Sequence, residues 1–278
     1  MRRVFFFCLL LPLMSGCETF VLRNATEEVE ILASDDTGYE YEITVLLPAN
    51  YDANRTYPSV YLIDGHWHYL NVAADAKQLM ESGKIEDIIL VSIAYANLRP
   101  SNLNDFGVIS EYRVDDLTFP KNRGDDELGG NAFEFRQFIA NDLIPFIEAN
   151  YATDGTDRTL MGHSLGGYFG IWEMLNFSDS SLFAQVEAGS PALWWADGYL
   201  MSQLEEAAKD NRSLPFDFHT TMGTLESVVW NTFYDEFEER IQNSDFTGLT
   251  YQFERYPKGH TANAEVGFRD GLRYFFGQ

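Results

Sequence analysis

The chain has 278 residues, 45% of them hydrophobic, with 43 acidic residues against 19 Lys and Arg and a formal net charge of −24. The acidity is spread along the chain, which reads as a solubility device and argues against nucleic acid and anionic membrane surfaces as partners. The length suits one large domain with a well-buried core.

The N-terminus reads as a processing signal. Arg2 and Arg3 precede an apolar stretch, Val4 to Met14, that is too short to span a bilayer. Leu13-Met14-Ser15-Gly16-Cys17 resembles a bacterial lipoprotein signal cleaved before Cys17, with Met14 where leucine is usual. Residues 1–16 would then be removed and Cys17 would carry the lipid. That places the protein in the cell envelope, in the periplasm or at the outer membrane, with the lipid anchor as its attachment to the membrane. The alternative is an ordinary secretory signal with an incidental cysteine, and either way the chain is exported. Cys8 would leave with the signal, so residues 17–278 would hold no cysteine available for a disulfide.

Residues 26–48 predict two antiparallel strands, the second starting with polar–apolar alternation at Glu40-Tyr41-Glu42-Ile43. Pro58 to Ile63 and Ile88 to Ala94 are short, nearly continuous apolar runs, as in strands buried on both faces of a sheet. Helical spacing over 69–82 joins them in a βαβ crossover. The pattern repeats as helix 131–149, strand 157–161, helix 165–176, strand 182–188 and helix 198–209. Strand 215–222, helix 229–242, strand 249–256 and a helix from about 262 complete it. This alternation predicts an α/β fold: a mainly parallel central sheet with helices on both faces, in a single domain over 17–278. Residues 96–130, rich in Asn, Asp, Gly and Pro, interrupt the rhythm and read as a loop insertion over the active site.

The most informative segment is Thr159-Leu160-Met161-Gly162-His163-Ser164-Leu165-Gly166-Gly167. An apolar strand end runs into G-x-S-x-G and then into a helical pattern, the sequence form of a turn that lifts a serine hydroxyl above a sheet. A serine hydroxyl needs a base to take its proton. In hydrolases with this turn the partners follow in the order Ser, acid, His. Of the histidines after Ser164, His219 sits within a predicted strand, whereas His260 lies in a Gly-containing loop between the last strand and last helix. His260 is therefore the candidate base. Glu226, just past the strand before it, is the candidate acid, with Asp235 and Glu236 competing from an amphipathic helix. Two N–H donors should bind the oxyanion: the Leu165 amide after the nucleophile, and an amide of the Asp64-Gly65-His66-Trp67 turn, assigned to His66. Asp64, His66 and His68 could instead suggest a metal site, but no further ligand set with sensible spacing accompanies them.

Several segments resemble the putative-esterase family of α/β-hydrolases, which includes enterobactin-type siderophore esterases and esterase D-like enzymes. They are Val60 to Gly65, Tyr112 to Thr118, Arg158 to Gly167, Gly189-Ser190-Pro191-Ala192-Leu193-Trp194-Trp195, Gly223-Thr224-Leu225-Glu226 and Gly259-His260. The resemblance implies an α/β-hydrolase fold and a serine esterase with Ser164, Glu226 and His260 as its triad, working without a cofactor. It also implies that Arg113 and the Trp194-Trp195 pair lie near the active-site mouth and contact substrate. On their own, Arg113 could pair with Asp115 or Asp116, and the tryptophans could be packing residues. The substrate would be a small-molecule or polysaccharide-linked ester. An acyltransferase on the same scaffold and a non-catalytic binding lipoprotein are the rival readings.

Overall fold

The computed structural model describes residues 26–121 and 129–278. The expected signal and Cys17 lie outside them. Eight strands form one sheet: β1 (Glu27–Ala33), β2 (Glu40–Leu46), β3 (Tyr57–Leu62), β4 (Ile89–Tyr95), β5 (Thr153–His163), β6 (Gln185–Gly189), β7 (Asp217–Gly223) and β8 (Thr250–Tyr256). Their spatial order is β1-β2-β4-β3-β5-β6-β7-β8. β1, β2 and β4 pair antiparallel, and every pairing from β4 to β8 is parallel. The sheet is thus mainly parallel, with the expected hairpin at one edge.

Period-two alternation sends neighbouring side chains to opposite faces. Val60 and Leu62 of β3, Leu90 of β4 and Met161 of β5 pack with Val72, Ala76, Phe268 and Leu272. Those last four come from α1 (Gly65–Glu81) and α8 (His260–Phe276), which cover one face. Tyr61, Val91, Leu160, Val186 and Phe218 pack on the other face against α2 (Leu103–Leu117), α3 (Ala132–Phe138), α4 (Ile144–Asn150), α5 (Leu165–Asn176), α6 (Trp195–Lys209) and α7 (Val228–Gln242). Helices on both faces and an eight-stranded, mainly parallel sheet make this an α/β-hydrolase fold.

Three elements depart from the sequence reading. The helix expected over 131–149 is broken by a π-helical turn, Ile139–Leu143, in which the Ile144 N–H donates to Ile139 O. Pro145 follows at once, and a widened turn avoids the clash of its ring with the carbonyl four residues back. The segment 96–130, expected to be an irregular loop, contains α2, whose N-cap Asn102 accepts from the Asn104 N–H. α6 begins earlier than the expected residue 198, across a left-handed turn at Ala196, Asp197 and Gly198.

The parallel order β5-β6-β7-β8 decides the geometry of the site. It brings the carboxyl ends of four strands to one edge, so residues 164, 190, 226 and 260 emerge side by side although nearly 100 positions separate the first and last.

Candidate active site

Ser164 sits between β5 and α5 at φ 60°, ψ −114°, a strained conformation for a non-glycine residue. The turn is locked by its backbone: the Ser164 N–H donates to Gly189 O at 2.8 Å, and Ser164 O accepts from the amides of Tyr168 and Ala192 at 2.9 and 3.0 Å. A Cβ at Gly162 would lie 2.4 Å from the Gly166 carbonyl, so the elbow closes only with glycine there.

His260 is the first residue of α8 and Glu226 follows β7. The two side chains meet, with His260 Nδ1 2.6 Å from Glu226 Oε2. The Glu226 side chain is fully buried, and its other oxygen, Oε1, accepts from the Ser190 hydroxyl at 2.6 Å and the Gly223 N–H at 3.0 Å. The rival carboxylates are engaged elsewhere: Asp235 pairs with Arg255 at 2.7 Å and Glu236 with Arg240 at 2.6 Å, on the solvated face of α7. His219 is buried in β7, 4.0 Å from Glu187 of the adjacent strand.

The imidazole of His260 lies 4.4 Å from that of His163, the residue before Ser164, and His163 lies 5.7 Å from His68. Burial holds His68 down to about 4 and His163 well below the usual histidine range. Both neighbours are therefore neutral at physiological pH, and a proton arriving on His260 meets no fixed like charge from them.

Leu165 and His66 both lie in the first turn of a helix, where amides have no partner within the helix. The neighbouring amides of Trp67 and His68 are consumed by Asp64 O at 3.0 and 3.3 Å. Asp64 is the left-handed N-cap of α1 (φ 61°), and Arg113 Nε reaches both of its carboxylate oxygens at 2.8 and 2.7 Å. Arg113 Nη2 donates to His163 O at 3.1 Å, and its guanidinium lies 5.7 Å from the Trp67 ring. A Cβ on Gly166 would lie 3.4 Å from Asp64 Oδ2. Arg113 and Asp64 thus strap the turn before α1 to the elbow, holding the two N–H donors on one frame. The expected pairing of Arg113 with Asp115 or Asp116 does not form. Asp115 and Asp116 instead accept from Tyr39 and from Tyr41 and Tyr95, respectively.

Residues 34–272 match the family model described as putative esterase. The chain belongs to that family. It is 26% identical over 269 residues to the ferri-bacillibactin esterase BesA of Bacillus subtilis, covering 89% of this chain and 88% of that protein. The BES protein from Bacillus cereus superposes with a TM-score of 0.78 at 23% identity, covering 94% of this chain and 99% of that one. An IroE-like serine hydrolase from Shewanella oneidensis gives 0.74 at 23% identity, covering 90% and 80%. The structural likenesses establish the fold, and the family makes the chain an esterase.

The esterase uses its two expected tryptophans differently. Trp195 is 5% exposed and its indole N–H donates to Pro120 O at 3.0 Å, so in this structure it packs into the core. Trp194 is half-buried and stacks on Trp230 of α7 (6.1 Å, 11°), which meets His260 edge to face at 5.0 Å. Trp230 escaped the sequence reading because its helix lies 30 positions from His260. Of the three residues of the metal alternative, Asp64 binds Arg113, His66 Nε2 lies 3.0 Å from Tyr95 O, and His68 packs on Phe268. Ser190 and Asn263 were also missed. The only local signals were Ser190 beside Pro191 and Asn263 one helical turn after His260.

Proposed function

We propose that the chain cleaves carboxylic esters through a covalent acyl-enzyme on Ser164, with His260 as general base and Glu226 as its partner. The observation that carries this is the 2.6 Å Glu226–His260 contact at the sheet edge that also presents Ser164 on a strained turn.

Glu226 holds the Nδ1–H tautomer of His260, leaving Nε2 to take the proton of Ser164 as Oγ attacks the ester carbonyl. The amides of Leu165 and His66 receive the oxyanion of the tetrahedral intermediate, and neither donor must reorganise because the Asp64–Arg113 strap fixes both. The proton on Nε2 passes to the alkoxide oxygen as the carbon–oxygen bond breaks, releasing the alcohol and leaving Ser164 acylated. Water then adds to the acyl carbon, losing a proton to His260. The second intermediate collapses to the free acid with the proton returned to Oγ.

The names of the relatives point to siderophore esters as the leading substrate class. The stacked rings of Trp194 and Trp230, the latter against His260, offer an aromatic surface beside the base for such a substrate.

The test is hydrolysis of p-nitrophenyl esters, acetate through octanoate, by wild type and Ser164→Ala, with a fluorophosphonate probe in parallel. Wild type should turn over and be labelled on Ser164, and Ser164→Ala should lose several orders of magnitude in kcat while staying folded. Full activity in Ser164→Ala would overturn the mechanism.

A further inference from the structure

Beneath the Glu226–His260 pair lies a buried polar chain that the mechanism above does not use. Asn263 Nδ2 is 2.8 Å from Ser190 Oγ and 3.1 Å from Thr221 Oγ1, and Ser190 Oγ is 2.6 Å from Glu226 Oε1. Ser190 is 2% exposed and Asn263 and Thr221 are fully buried, so no solvent competes for these groups.

The direction of the chain follows from its chemistry. A hydroxyl has one proton, and the carboxylate of Glu226 is acceptor-only. Ser190 therefore spends its proton on Glu226 and must accept from its other neighbour, which fixes the Asn263 amide with Nδ2 toward Ser190. Asn263 lies one turn beyond His260 on α8, so the helix that carries the base also anchors the group that orients the acid. The backbone is strained to achieve this. Ser190 has φ 40°, in the left-handed region, with its N–H held by Thr221 O at 2.7 Å.

We propose that Ser190, oriented by Asn263, is a positioning residue that sets how strongly Glu226 holds the protonated form of His260. The proposal rests on the esterase mechanism proposed above. Each donor to Oε1 disperses carboxylate charge and weakens the attraction of Oε2 for an imidazolium. Taking away the Ser190 hydroxyl leaves Gly223 N–H as the remaining donor to Oε1. More charge then falls on His260, and the imidazolium becomes more stable. The other charged or titratable groups around His260 are His163 on β5, His68 and Asp64 at the start of α1, and Arg113 on α2, and the substitution touches none of them. Lys258, two residues before His260, is likewise unchanged.

The experiment is the pH dependence of kcat/KM for Ser190→Ala and Ser190→Gly beside wild type. Glycine removes the hydroxyl and relaxes the φ 40° backbone, so it serves where alanine fails to fold. The acid limb reports the protonation of the free enzyme's base. It should move to higher pH by about half a unit, with kcat reduced about 10-fold, as expected for loss of one hydrogen bond to a charged group. A limb that stays in place or moves to lower pH in a folded variant would overturn the proposal, since simple misalignment slows the enzyme without strengthening the imidazolium. Absence of probe labelling on wild-type Ser164 would instead remove the esterase mechanism itself, and the proposal with it.

Discussion

At the level of single residues, the acid is the assignment with the most chemistry riding on it, because three carboxylates follow β7 within thirteen positions. Glu226→Gln preserves shape but replaces one acceptor oxygen with a donor. The Oε1 side already faces two donors, Ser190 and Gly223 N–H, so the amide nitrogen must turn toward His260. There it donates to Nδ1 and forces the ring proton onto Nε2, where it blocks uptake of the Ser164 proton. The expected loss in kcat is on the order of 10⁴-fold with the fold retained, while Glu236→Gln, on the exposed face of α7, should leave kcat unchanged. Steady-state kinetics with circular dichroism checks both, and the reverse pattern would reassign the acid. Glu226 was legible in the sequence because chain order and a turn glycine mark the position. Ser190, Asn263 and the Asp64–Arg113 strap were not, since each is a side-chain pairing between residues 36 to 73 positions apart that no local spacing encodes.

At the level of elements, periodicity located every strand and nearly every helix, and failed where backbone chemistry is unusual. α2 was hidden by Asn, Asp and Gly, which at its start act as a cap rather than a loop signal. The start of α6 was hidden by a left-handed turn for which alanine gives no cue. Ala196 (φ 48°, ψ 50°), Asp197 (φ 57°, ψ 32°) and Gly198 (φ 78°, ψ 37°) reverse the chain immediately after the tryptophan pair. An L-residue in this region costs about 1–2 kcal/mol, and glycine pays no such penalty. Ala196→Gly relieves that strain but adds unfolded-chain entropy worth about 0.4–1 kcal/mol and removes a half-buried methyl. The net expectation is a gain of up to about 1 kcal/mol, or about 2 °C in the thermal midpoint. An Ala→Gly change inside a right-handed helix does the opposite, so a fall in the midpoint would show that position 196 is not held left-handed in solution.

At the level of the whole molecule, 43 acidic residues against 19 Lys and Arg give the chain a strongly negative net charge and hence a negative long-range field. Many cations are spent locally: Arg113 on Asp64, Arg240 on Glu236 and Glu205, Arg255 on Asp235 and Glu238. That field acts differently on substrates of different charge, which bears on the siderophore reading because ferric siderophore complexes of the enterobactin type are anionic. An anionic ester approaching this surface is repelled over a Debye length of about 30 Å at 0.01 M salt and about 8 Å at 0.15 M. Its kcat/KM should therefore rise several-fold across that range, while a neutral p-nitrophenyl ester of similar size stays flat. A neutral ester that changed equally would point to salt acting on the fold rather than on encounter. If instead kcat/KM for the anionic ester fell with salt, a local cationic patch at the mouth would be outweighing the field of the whole chain, with Lys258 beside His260 as the first side chain to replace.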